Sequence, residues 1–110
     1  TTIIISGDHL SMDADFMENI DPDQVRTIYN CFINVPIAPH KTGCRNFGTI
    51  DMFPTALSAL GAEIEGDRLG LGTDLYSDTP TLLELKGRNY LDTQFSMNSE
   101  FYKENIMFRQ

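Results

Sequence analysis

The apolar and polar positions of this chain fall into blocks with different periods. It opens on Ile3-Ile4-Ile5, breaks at Ser6-Gly7 and stays largely polar to about residue 24. Three consecutive β-branched side chains fit a pleated, buried surface, so residues 2–6 are predicted as a strand. An apolar run without alternation is the signature of a strand covered on both faces, as in parallel α/β sheets. A second dense run, with Ile28, Tyr29, Cys31, Phe32, Ile33 and Val35, predicts a central or near-central strand over 26–35. Pro36 and Pro39 end it. Between the two, Asp21-Pro22-Asp23 marks a turn, and the acidic stretch before it reads as loop with a short helical turn.

The period then changes. Phe53, Ala56, Leu57 and Leu60 stand at i, i+3, i+4 and i+7, which places four apolar groups on one helical face. A helix is predicted over about 52–60, with Asp51 as N-cap, Pro54 tolerated in the first turn and Gly61 as the stop. Its apolar face is expected to pack on the sheet formed by the two strands. Residues 62–78 are glycine-rich and carry Gly66-Asp67-Arg68-Leu69-Gly70-Leu71-Gly72-Thr73. Short helical pieces follow at Thr81–Leu85 and Tyr90–Met97, and Ser99 can cap a final turn holding Phe101, Tyr102 and Ile106. No internal repeat or low-complexity tract is present.

Length and charge narrow this picture. At 110 residues the chain is one domain at most, with a modest core. The net charge of −8 argues against nucleic acid as a partner and against adhesion to an anionic membrane surface. No apolar run reaches the length of a membrane span, and no signal peptide is visible. Cys31 and Cys44 form no disulfide framework; they could make one bridge in an exported protein or remain free. Because the chain starts directly on a strand, it is expected to be part of a longer protein.

The candidate chemistry lies where the first strand ends. Asp8 and His9 follow Ser6-Gly7, and ligands of α/β sheets bind just past the carboxyl ends of strands. Together the pair offers a carboxylate oxygen and an imidazole nitrogen to a divalent metal. The competing account is a turn in which Asp8 satisfies backbone N–H groups and His9 is incidental. The pair is not a complete site, since the only other histidine is His40. His40, Lys41 and Arg45 cluster in one loop and could meet a phosphate or a sugar hydroxyl, or form a solvated surface. Gly70-Leu71-Gly72 lacks the third glycine and the flanking strand and helix of a dinucleotide fingerprint, so a tight loop near the sheet is the better account. No Ser-His-Asp or Cys-His set can be assembled, and the acids at 13–23 lack the order of a calcium loop.

Four stretches carry a family resemblance: IIISGDHLSMD, IYNCFINVPI, the run from Asn46 to Asp78 with DMFPTALSALG and GDRLGLGT, and SEFYKENIMF. Together they resemble the end of the catalytic domain of bacterial phosphoglycerol transferases, the lipoteichoic-acid-synthase-like and glucan phosphoglycerol-transferase-like enzymes. These belong with the sulfatases in the alkaline phosphatase superfamily. DMFPTALSALG resembles a pattern shared with sulfatases, and GDRLGLGT looks closer to the phosphoglycerol transferase branch. The resemblance covers nearly the whole chain. It implies an α/β fold, with residues 1–110 as the C-terminal portion of an alkaline-phosphatase-like α/β/α sandwich. It also implies a divalent metal, Mn2+ or Mg2+, with Asp8 and His9 matching the family's late Asp-His ligands. In that family a Thr nucleophile attacks the phosphodiester of phosphatidylglycerol and passes glycerophosphate to an acceptor hydroxyl. Nothing here matches the nucleophile or the early acidic ligand. The implied partners are the remainder of the catalytic domain, the lipid headgroup and a glycan or teichoic acid acceptor. The implied setting is a membrane-anchored protein with its catalytic domain outside the cell. A sulfatase or phosphodiesterase of the same superfamily, or a non-catalytic folding or interaction module, are the alternatives.

Overall fold

In the computed structural model, which describes residues 1–108, helices and two small antiparallel sheets alternate along the chain. The first sheet is a ribbon of β1 (Ile3–Ser6) and β2 (Asn30–Ile33), in register from Ile3 opposite Ile33 to Ser6 opposite Asn30. The intervening segment carries the short helix α1 (Ala14–Glu18), capped by Asp13, whose side chain accepts from the Phe16 N–H at 3.2 Å. Asp21 makes the turn that its sequence foretold, its carboxylate accepting the Asp23 N–H at 3.0 Å.

Two expectations for this sheet are corrected. The strands run antiparallel rather than in the parallel arrangement that the isoleucine run suggested. They are also covered on one side only. Ile4 and Phe32 point toward the body of the molecule, where the Phe32 ring meets the Tyr76 ring edge-on at 6.2 Å. Ile3, Ile5 and Ile33, on the opposite face, are 48%, 48% and 43% exposed. The second strand is also shorter than 26–35, because only Asn30–Ile33 find a partner strand.

The body is built around helix α2 (Met52–Ala59), entered through a 3-10 turn at Thr49–Asp51. Its position matches the expected 52–60, but its inner face does not. Pro54, Thr55, Ser58 and Ala59 are buried, whereas Phe53 and Leu60 are largely exposed. The helix packs on a two-residue hairpin, β3 (Arg68–Leu69) and β4 (Gly72–Thr73), rather than on the β1–β2 ribbon. The approach is too close for large side chains. A Cβ on Gly72 would land on the Ile50 carbonyl and sit 3.0 Å from Pro54 Cγ. Small residues therefore take the inner face of the helix, and the larger apolar residues lie outside. Gly70-Leu71 forms the tight loop of this hairpin, where a tight loop was expected.

The C-terminal helices are α3 (Leu82–Lys86), α4 (Arg88–Ser96) and α5 (Glu100–Tyr102), followed by a π turn at Lys103–Met107. Ser99 caps α5 as expected, accepting the Tyr102 N–H at 3.1 Å. No described helix is long and apolar enough to cross a membrane.

The core is small and mostly polar. Apart from Pro54 and Gly72, the buried positions are Ala59 and the polar residues Asp51, Thr55, Ser58, Thr73, Asp74, Ser77 and Thr81. The radius of gyration is 16.7 Å, against about 13 Å for a compact domain of this length. The accessible surface is 8557 Å2, against about 6,100 Å2 for a folded monomer of this mass.

Candidate functional site

Asp8 and His9 stand immediately past β1, side by side and exposed, where the end of the isoleucine run placed them. The ribbon ends there because Gly7 closes it. The Gly7 N–H donates to the Tyr29 carbonyl at 2.9 Å, and a Cβ at Gly7 would lie 2.7 Å from Ile28 Cγ2. A side chain here would have to displace Ile28, so glycine suits the approach; the chain makes its last ladder bond at residue 7 and delivers residues 8 and 9 beyond the sheet. Asp8 Oδ1 accepts the His9 N–H at 2.9 Å, which is the turn role that an Asp here would also play on its own.

The imidazole has a more specific arrangement. His9 Nδ1 lies 2.7 Å from the Leu10 carbonyl oxygen. A carbonyl only accepts, so Nδ1 carries a proton. His9 Nε2 is 3.5 Å from Asp8 Oδ2. An imidazole whose Nδ1–H donates to a backbone carbonyl is oriented as metal-ligating histidines commonly are. The donor set fits a divalent cation in chemistry but not in number. Among the described residues no group of three or more His, Cys, Asp and Glu side chains comes together. The orienting carbonyl of Leu10 had no signal in the sequence, since any residue would supply it.

Beside the pair lies a groove of about 820 Å3, lined in part by Leu10, Val25, Ile28, Leu83, Leu91 and Phe95. Arg26 is on its wall, donating to the Ser11 carbonyl at 2.7 Å. A smaller apolar cleft of about 220 Å3 lies between the ribbon and the body, against Phe32, Phe47, Met52 and Tyr76.

The basic loop divides. His40 and Lys41 are exposed, with the His40 N–H donating to the Tyr76 carbonyl at 2.8 Å. The Arg45 side chain is only 5% exposed and is engaged throughout. Its Nε and Nη2 reach the two carboxylate oxygens of Glu84 at 3.2 and 3.0 Å. Nη1 donates to the carbonyls of Leu75 and Ser77, and Nη2 also to that of Thr79. A role for Arg45 on a substrate would require breaking this network. Glu84 in turn accepts the Thr81 N–H at 2.9 Å, and Thr81 caps α3 by accepting the Glu84 N–H at 3.1 Å. Thr81-Leu82-Leu83-Glu84 is thus a capping box, whose Thr-x-x-Glu signature is visible in the sequence. The Arg45 guanidinium, chiefly by its hydrogen bonds, lowers the Glu84 carboxyl from an ordinary 4.5 to about 2.

Asp51 stands at the N-cap position of α2 as expected, but its side chain makes no cap bond to the helix and is the hub of a second internal network. Oδ2 accepts the Gly48 N–H at 2.9 Å, and Oδ1 accepts the Thr73 N–H at 2.8 Å, tying helix entry to hairpin. Thr55 Oγ1 donates to the Asp51 carbonyl at 2.6 Å and accepts the Leu75 N–H at 3.0 Å. Burial, aided by the Asp74 charge, pushes the Tyr76 phenol up. The Cys31 thiol beside the Tyr29 hydroxyl pushes that phenol up as well. Cys31 and Cys44 are both free thiols.

Comparison of the chain with protein-family models, with curated proteins and with solved structures yields no match.

Proposed function

We propose that this chain is the C-terminal, metal-bearing part of a phosphoglycerol transferase catalytic domain, an alkaline-phosphatase-like α/β/α sandwich completed by the rest of that domain. The observation that carries the reading is the His9 ring. Its Nδ1–H is held by the Leu10 carbonyl, and its Nε2 lies 3.5 Å from the carboxylate of Asp8 at the end of a strand. A divalent ion such as Mn2+ or Mg2+ at this pair would supply Lewis acidity toward a phosphodiester oxygen. Asp8 would contribute charge and His9 a ring nitrogen, and both stand exposed just past the strand end. His40 and Lys41, the exposed members of the basic loop, are the groups here that could meet a phosphate or a sugar hydroxyl. In this reading the donor is a phosphatidylglycerol headgroup, the acceptor is a cell-envelope glycan or teichoic acid, and the enzyme is membrane-anchored with its catalytic domain outside the cell. A sulfatase or phosphodiesterase of the same superfamily would use the same pair, and its nucleophile would set it apart.

The test has two parts. Manganese added to the 110-residue chain should broaden the NMR signals of Asp8 and His9 before all others, weakly, as two ligands would. In the intact enzyme, Asp8→Ala should lower turnover by more than about 100-fold through loss of the metal. Unchanged turnover of that variant at both limiting and saturating manganese would remove the pair from the chemistry. The isolated chain, which lacks a matching nucleophile, should show no turnover of phosphatidylglycerol.

A further inference from the structure

The segment that carries Asp8 and His9 is tied down on both sides by one stretch of chain. Before the pair, the Gly7 N–H donates to the Tyr29 carbonyl at 2.9 Å. After it, Arg26 Nη2 donates to the Ser11 carbonyl at 2.7 Å. Residues 7–11 are thus bridged to residues 26–29 at either end of the pair. The second tie bears on the imidazole. His9 Nδ1 lies 2.7 Å from the Leu10 carbonyl oxygen, and that carbonyl belongs to the planar peptide unit joining Leu10 to Ser11. Holding the Ser11 carbonyl therefore limits the rotation of the unit that supplies the ring's acceptor. Arg26 is half-buried, and among the described residues it makes no ion pair, although Asp21 and Asp23 are close by in sequence. Its contact is with the backbone of this loop. The Ser11 hydroxyl makes only a local bond, accepting the Asp13 N–H at 3.3 Å.

We propose that Arg26 is a positioning residue for the Asp8–His9 pair. By holding the Ser11 carbonyl it keeps the Leu10 carbonyl on His9 Nδ1, and so sets the tautomer and the orientation of the ring. It acts through the loop backbone and not by contact with metal or substrate. Such a tie matters because an exposed loop has many backbone conformations to occupy, and a ring bonded to a moving carbonyl moves with it. A ligand already held in one orientation binds a metal without that ordering cost, which is why groups one step beyond the ligands alter affinity. The proposal deepens the proposed function and rests on it for the metal, but not for the state of the ring.

Long-range 1H–15N NMR of the 110-residue chain, without metal and at about pH 9, above the ordinary imidazole range, reads the tautomer of each histidine. The exposed His40 ring is the internal reference. At His9 the ratio of Nδ1–H to Nε2–H should exceed that at His40 by about fivefold, as one ordinary hydrogen bond gives. Arg26→Ala should bring the two ratios to within about twofold of each other. Arg26→Lys, which keeps a donor of similar reach, should hold the His9 ratio near its original value. Ser11→Ala, which leaves the backbone carbonyl in place, should not move it. The Gly7, Thr73 and Leu75 amides should keep their protection in every variant, so that the readout reports the loop and not unfolding. Manganese added afterwards should broaden His9 in Arg26→Ala only at about threefold higher concentration or more. The proposal is overturned if His9 and His40 give the same ratio in the unaltered chain, or if Arg26→Ala leaves the His9 ratio unmoved. It is equally overturned if Ser11→Ala shifts that ratio as far as Arg26→Ala does, or if Arg26→Ala also releases the Gly7 amide. A tautomer shift in Arg26→Ala, with manganese leaving His9 unbroadened in the unaltered chain, would support the positioning role and remove the metal reading.

Discussion

The segment from Arg45 to Gly87 and the ribbon of β1 and β2 solve the same problem in different ways. In the first, a polar interior is closed on itself. Arg45 gathers one carboxylate and three carbonyls, Asp51 joins helix entry to hairpin, and Thr81 and Glu84 cap each other. Of the buried side-chain polar atoms among the described residues, Thr73 Oγ1 alone lacks a partner. In the second, apolar side chains and backbone groups remain open to solvent. Buried polar groups are costly unless satisfied, so a closed network specifies one arrangement and carries its own stability. The candidate metal pair stands at the end of the ribbon, the more open of the two parts.

The contrast breaks most sharply at Arg45. Arg45→Leu leaves Glu84 buried without its partner and three carbonyls without a donor, and should cost about 3–5 kcal/mol. Denaturant unfolding should show the midpoint collapse, with amide protection lost across residues 45–87 while the ribbon's is unchanged. Retained protection there would show that the network is incidental.

Acid should act through the same group. The folded-state carboxyl of Glu84 lies at about 2, below its ordinary 4.5, so its stabilisation is present above 4.5 and is lost as pH falls toward 2. The amount is roughly 3 kcal/mol. Unfolding measured from pH 6 to 2 should steepen between 4.5 and 2, and Glu84→Gln should flatten that limb while lowering the plateau above it. An identical acid limb in the variant would assign the effect to other carboxylates.

Gly72→Ala sharpens the account of the hairpin. The added Cβ meets the Ile50 carbonyl, a backbone group that cannot swing aside, and should cost about 1–3 kcal/mol as an overpacked contact. A thermal midpoint equal to that of the unmodified chain would show that helix and hairpin have room to part. The smallest effect is expected at Phe53, 64% exposed on the outer face of α2. Phe53→Ala should change stability by no more than about 0.5 kcal/mol. A loss of 3 kcal/mol or more, measured by denaturant midpoint, would restore the apolar face that the periodicity suggested.

Elements and their punctuation were legible in the sequence because they depend on neighbours a few residues away. The break after Ile5, the Asp21 turn, the Met52–Ala59 helix with Pro54 in its first turn and the Ser99 cap all follow from local sterics and local hydrogen bonds. The place of Asp8 and His9 at a strand end was legible for the same reason. The orientation of α2 was not. Its spacing offered Phe53, Leu57 and Leu60 as the inner face, but the close approach of Gly72 and Ile50 admits only Pro54, Thr55, Ser58 and Ala59. Nor could the loop composition around Arg45 reveal that its partner is Glu84, 39 residues away. Sequence periodicity reports which residues could share a face, whereas long-range packing decides which face is used and which charge is drawn inside. The tertiary structure alone determined that the isoleucine strand runs antiparallel to β2 with one face bare, because that depends on a partner strand brought alongside only by the folded backbone.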